Sequence, residues 1–128
     1  MSLEAVGNRV SGLKNTRLTV GQRCAELLHS FGIHKCLGGY DAIIAAIYVL
    51  EENPDFLQNI NNKLYPAILQ RMAKDQIPHG NLQRVIGYAI KIGTNRSTPS
   101  WTELFGDDKP SISIFLSSVY TAIHFYKL

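Results

Sequence analysis

The sequence predicts an all-α fold, a compact bundle of about six helices containing a helix-turn-helix, for three reasons. Apolar residues recur at i, i+3, i+4 and i+7 in successive stretches, the spacing of one buried helical face. Helix caps, glycines and prolines separate these stretches at helix-length intervals. No stretch alternates with the two-residue period of a half-buried strand. At 128 residues and 45% hydrophobic content, the chain can build one domain around one core.

Residues 1–18 have little periodicity, with Gly7 and Gly12 inside them and Arg9, Lys14 and Arg17 spread along them. A short helix around Leu3 to Val10 is the one element they offer. They read as an N-terminal arm, either reaching along a phosphate backbone or forming a disordered lead-in, and the domain spans 19–128. Thr19-x-x-Gln22 has the form of a capping box, and Cys24, Leu27, Leu28 and Phe31 follow on one face, with Gly32 ending the helix. Gly38-Gly39 is read as a tight reversal. Tyr40, Ile43, Ile44, Ile47 and Leu50 then form a strongly apolar second helix, the central one of the core, which stops near Asn53-Pro54.

Phe56, Leu57 and Ile60 mark a short third segment. Pro66 sits where a first helical turn tolerates it, ahead of Ala67 to Lys74, with Leu64, Ile68, Leu69 and Met72 as the apolar contacts. Asp75 to Gly80 is the turn, Pro78 starts the next helix, and Gly93 ends it. Thr98 caps a brief helix through Trp101, Leu104 and Phe105, terminated by Gly106, with Trp101 in the core. The final helix, about Ser111 to Lys127, carries Phe115, Val119, Ala122, Ile123 and Tyr126 on one stripe.

The chain is organised around Asn61 to Ile92, read as two short helices and a turn. Leu82, Val85, Ile86, Ala89 and Ile90 share one face of the helix about Pro78–Ile92. The other face carries Asn81, Gln83, Arg84, Tyr88 and Lys91, types that reach base edges and phosphates because Arg forks onto guanine, amides pair with adenine and Lys neutralises phosphate. A solvated surface helix would show the same polar face. Charge adds a second signal. Phe56 to Arg96 holds six basic residues against Asp75 alone, a local +5, while the remaining seven basic and nine acidic residues leave −2. Basic charge gathered on one supersecondary unit fits a nucleic-acid footprint. Lys63, Arg71 and Lys74 are the expected phosphate anchors, as the first helix of such a pair crosses the DNA backbone.

Other function classes find little support. The order Cys24-x4-His29-x4-His34-x-Cys36 lacks the close paired spacing of structural zinc, so no metal and no cofactor are expected, and the cysteines read as small, reduced core residues. There is no Gly-rich phosphate loop, no nucleophile elbow and no HExxH motif. His79-Gly80 and Asp107-Asp108 are the only suggestive polar pairs and read as turn chemistry, so no catalytic residue is assigned. No apolar run is long enough to span a membrane, and no N-terminal stretch has the form of a secretory signal, so a cytoplasmic location is expected.

Several segments taken together resemble the C-terminal DNA-binding effector domain of stage zero sporulation protein A, the sporulation response regulator. They are Glu26-Leu27-Leu28-His29-Ser30-Phe31-Gly32-Ile33 followed by Gly39-Tyr40, Leu64-Tyr65-Pro66-Ala67-Ile68, Arg84 with Ile86 and Ala89-Ile90, and Leu104-Phe105-Gly106 with Lys109-Pro110 and Phe115. The resemblance covers roughly Ala25 to Lys127, and the order and spacing of the pieces are more specific than any one of them. It implies a six-helix domain whose helix-turn-helix enters the major groove of double-stranded DNA. It also implies head-to-tail self-association on tandem boxes and contact with the RNA polymerase sigma subunit.

The departures fall on the reading surface. Positions that hold two arginines and a glutamate in the family are Asn81, Gly87 and Gln83 here, the family histidine becomes Tyr88, and Arg84 is kept. The turn is about three residues longer, through Lys74 to Ile77. Base preference is therefore expected to differ. Full-length relatives carry a receiver domain ahead of the effector and this sequence has none. A natural full-length chain would lack phosphorylation control in cis, and an excised piece would lose only the switch. Two function readings follow. One is a sequence-specific transcription regulator reading DNA through Asn81, Gln83, Arg84 and Tyr88, anchored by Lys63, Arg71, Lys74 and Lys91. The alternative is a degenerate homologue acting by protein contact, with a full-length regulator or the sigma subunit, and reading DNA weakly or not at all.

Overall fold

The computed structural model describes residues 19–78 and 80–125. The arm expected over 1–18, His79, and the Tyr126 to Lys127 end of the last helix lie outside the described residues. Six α-helices run α1 Val20–Ser30, α2 Gly38–Glu52, α3 Tyr65–Lys74, α4 Leu82–Arg96, α5 Pro99–Phe105 and α6 Ile112–Phe125, and no strand occurs among the described residues. The fold is all-α, as the periodicity predicts. A 3-10 turn (Pro54–Gln58) and a π turn (Ile60–Leu64) occupy the short third segment between α2 and α3.

Local chemistry sets most boundaries. The capping box at Thr19 forms in full: Thr19 Oγ1 accepts from the Gln22 amide at 3.0 Å while Gln22 Oε1 accepts from the Thr19 amide at 2.8 Å. At the end of α1, Gly32 takes a left-handed φ of +81°, the Ile33 amide donates to the Leu28 carbonyl, and the Gly32 amide donates to that of His29. This double closure satisfies the orphan carbonyls of the last turn. α3 ends in the same way without glycine. Gln76 has φ +59°, and the amides of Ile77 and Gln76 donate to the carbonyls of Met72 and Ala73.

α2 is the central post. It is buried almost all round, at Gly39, Tyr40, Ala42, Ile43, Ala45, Ala46, Ile47, Val49 and Leu50, and it packs against α1, α3, α4 and α6. Only a narrow stripe through Asp41, Ile44, Tyr48 and Glu51 is partly open to solvent, which explains the helix's nearly continuous apolar sequence. α5 and α6 close the other side through an aromatic cluster. The Phe31 and Trp101 rings meet edge-on with centroids 5.1 Å apart, and Phe105 lies 4.4 Å from Trp101 and 5.6 Å from Phe115. Thr98 joins this cluster to α1: its hydroxyl donates to the Ser30 carbonyl at 2.7 Å and accepts from the Trp101 amide at 3.3 Å. At the far end of the bundle His124 Nε2 lies 2.5 Å from Glu51 Oε1, bridging α6 to α2.

Four expectations are corrected. Gly38-Gly39 is not a reversal but the first turn of α2, and a Cβ at Gly39 would run into the backbone carbonyl of Val85, so glycine lets α4 cross α2 at close range. Gly93 does not end α4; it lies buried inside the helix, where a Cβ would strike the Trp101 ring, and Ser97 in the left-handed region ends α4 instead. Pro78 lies outside α4, which starts at Leu82 rather than near Pro78 because Asn81 provides the cap. Cys36 is exposed, so only Cys24 is a buried core residue.

These packing arguments separate the glycines. Gly39→Ala and Gly93→Ala should each destabilise the fold by about 1–3 kcal/mol through overpacking. At Gly87 an added Cβ would meet nothing within 4 Å, so alanine there should be accepted and should gain about 1 kcal/mol from helix propensity. Denaturant titration followed by far-ultraviolet circular dichroism distinguishes the three variants.

Burial also sets an alkaline limit. It pushes the Cys24 thiol up from 9.0 to about 12, and it raises the Tyr40, Tyr65 and Tyr120 hydroxyls in the same direction. A raised folded-state value means the folded chain holds these protons more tightly. For Cys24 the stabilisation is complete below pH 9.0 and is lost as pH rises towards about 12. The melting temperature should fall over that window, and Cys24→Ala should make the fall shallower.

Candidate nucleic-acid interface

The outward face of α4 forms a shallow, open depression of about 490 Å³, lined by Asn81, Gln83, Arg84, Gly87, Tyr88, Lys91 and Lys109. α4 presents this face because the opposite one is anchored: Leu82, Ile86, Ala89 and Ile90 are buried, and Gly93 seats the helix on Trp101. Five of the eight predicted contact residues therefore share one surface. A smaller hollow of about 270 Å³ continues from it, between α4 and the start of α3, sharing Asn81 and Gln83 and adding Asn61, Tyr65, Leu69, Gly80 and Leu82.

The depression is basic without compensation. Arg84, Lys91 and Lys109 line it and no carboxylate does. Among the described residues none of these three side chains has an ion-pair or hydrogen-bond partner. Arg84 is also the third residue of α4, whose first turn contains no acid. A cation at the positive end of the helix dipole costs about 0.3–1 kcal/mol, a cost that an approaching anion would reverse. Tyr88, 52% exposed, stands one turn further along. Beside it Gly87 leaves the helix backbone bare, with no neighbour that needs the missing side chain.

Asn81 is placed as predicted but is already occupied. Its Oδ1 accepts from the Arg84 amide at 2.9 Å, and its carbonyl accepts from Val85 at 2.9 Å, so it is the N-cap of α4. The sequence reading missed Lys109. It follows Gly106-Asp107-Asp108 in the loop between α5 and α6, and only the packing of α5 and α6 against the core brings it beside the earlier α4. No local pattern announces that contact.

The three expected phosphate anchors are not gathered with the others. The Arg71 guanidinium stacks 4.3 Å from the centre of the Tyr48 ring, and its Nε lies 3.8 Å from Asp75 Oδ2. With Lys74 it lines a separate groove of about 550 Å³ between α2 and α3, shared with Val49, Glu52 and Phe56. Lys63 Nζ sits 6.0 Å from the Phe56 ring centre. Arg71 is thus turned towards α2 because an aromatic face and a carboxylate one turn away satisfy it locally.

No cluster of three or more potential metal ligands occurs among the described residues. Cys24 is buried, Cys36 is exposed, and His29 Nε2 lies 3.3 Å from the Tyr40 hydroxyl. Asp107 and Asp108 are exposed in the turn after α5. Among the described residues no helix is long and apolar enough to cross a membrane.

The cap and the reading role of Asn81 can be separated. Asn81→Ala should cost about 1 kcal/mol of stability by orphaning the Arg84 amide, and Asn81→Ser should recover most of it because a serine hydroxyl accepts the same bond. Equal stability of the alanine variant and the unaltered chain in urea unfolding would refute the cap. Compared with known proteins, the chain matches no protein-family model and no curated protein.

Proposed function

We propose that the protein is a sequence-specific DNA-binding transcription regulator of the sporulation-regulator effector type. α3 and α4 act as its helix-turn-helix, and α4 reads the major groove. The observation that carries this reading is the uncompensated set of Arg84 and Lys91 on one face of α4 with Lys109 from the α5–α6 loop, lining one depression with the exposed Gln83. Arginine and glutamine supply base-edge recognition, and the two lysines flank them where phosphates would pass. A helix is of the right width for the major groove, and its N-terminal residues are those that reach base edges in such motifs. The bare backbone at Gly87 lets the helix approach without a side chain in the way.

A second reading, protein contact with a full-length regulator or the RNA polymerase sigma subunit, is favoured by one observation. Arg71 is engaged with Tyr48 and Asp75, so α3 offers fewer cations to a phosphate backbone than its composition suggests. Fewer phosphate contacts mean weaker binding and a shallower salt dependence.

Fluorescence-anisotropy titration against a duplex carrying tandem sporulation boxes, a scrambled duplex and a randomised pool, at two salt concentrations, tests the proposal. Arg84→Ala should lower discrimination between sequences by about 1–3 kcal/mol. Lys91→Ala should weaken all duplexes alike and reduce the salt slope by about one. Unchanged binding in both variants would remove α4 from the interface. Absence of binding to any duplex, together with a salt-resistant complex with the sigma subunit, would establish the second reading instead.

A further inference from the structure

Resting on the DNA-reading assignment of α4, we infer that the chain reads two adjacent base pairs through consecutive residues, an A·T pair by Gln83 and a G·C pair by Arg84. The argument is one of availability. Three residues at the start of α4 have side chains able to read bases: Asn81, Gln83 and Arg84. Pairing with adenine needs a side-chain amide whose oxygen accepts from N6 while its nitrogen donates to N7. The Asn81 oxygen already holds the Arg84 amide at 2.9 Å, and turning it towards a base would uncap the helix. Gln83 is exposed and its amide has no partner among the described residues. It is the amide of this turn that can take both adenine bonds at once. Arg84, exposed and likewise unpartnered, carries the fork that matches guanine O6 and N7.

The extent of the readout follows from the next turn. Gly87 lies four residues after Gln83 and three after Arg84, the positions that share their face of the helix. It has no side chain to offer, and an added Cβ there would meet nothing within 4 Å. Base reading by short polar side chains therefore ends after the first turn, and Lys91 and Lys109 border the depression as charge. The specific core is short, with the bare helix at Gly87 lying over the pairs beyond it.

The test is selection from a randomised duplex pool with the whole chain, repeated with Gln83→Ala, Gln83→Glu and Arg84→Ala, each checked for an unchanged melting profile. The unaltered chain should enrich contiguous A·T and G·C pairs. Gln83→Ala should flatten the preference at the A·T position alone by roughly tenfold. Gln83→Glu should move that position towards cytosine, because a carboxylate accepts from the cytosine amino group and cannot donate to adenine N7. Arg84→Ala should flatten the neighbouring G·C position. An enriched site whose base preferences are the same with and without Gln83 would overturn this inference and leave DNA reading intact. A pool with no enriched sequence would overturn both.

Discussion

α4 crosses α2 at a distance that only glycine permits, and the arrangement of the other helices and of the outer surface follows from that crossing. At Gly39 the two backbones approach so nearly that a single added carbon would meet the Val85 carbonyl. α2 is buried on nearly every side, so α4 cannot find an alternative seat by rolling around it. At the other end of α4, Gly93 rests on Trp101, which the aromatic cluster of Phe31, Phe105 and Phe115 holds in place. With both ends seated through glycines, the rotation of α4 about its axis is set, and with it the face shown to solvent. Close-packed interiors transmit such constraints because no void absorbs a shift.

That rotation determines which polar residues act together. It turns Gln83, Arg84, Tyr88 and Lys91 outward and brings them beside Lys109 from the α5–α6 loop. The resulting surface keeps features that folding alone disfavours: an arginine at the positive end of a helix with no acid in its first turn, and a half-buried mid-helix glycine that no neighbour requires. Each has a cost in stability and no internal contact that offsets it. Residues that depart from local stability rules without an internal reason mark surfaces shaped for something outside the fold.

α3 behaves differently, and the contrast is informative. Arg71 within it and Lys63 just ahead of it each have a neighbour that occupies them. Tyr48 and Asp75 hold Arg71, and Phe56 lies under Lys63. The groove between α2 and α3 mixes Glu52 with Arg71 and Lys74, so its field is weaker than the count of cations in this part of the sequence suggests. Net charge over a segment measures attraction only where the charges share a surface and lack partners.

Nearest-neighbour chemistry along the chain was enough to establish the all-helical class, the centrality of α2 and most helix starts. The signals are the spacing of apolar side chains, the Thr19 capping box, the Thr98 cap, Pro66 in a first turn and the terminators at Gly32 and Gly106. Helical periodicity alone also put five of the candidate contacts on one helix face. The roles of Gly39 and Gly93 emerged only from packing. A glycine that breaks a helix and one that admits a neighbouring backbone or ring are the same letter in a sequence. The left-handed Gln76 that ends α3 was hidden for a related reason, because a residue type that rarely adopts that conformation was held in it by closure of the helix end. The capture of Arg71 by Tyr48 and the arrival of Lys109 beside α4 depend on residues far apart in the chain. Contacts at long sequence separation are set by how whole helices pack, and no local pattern encodes them.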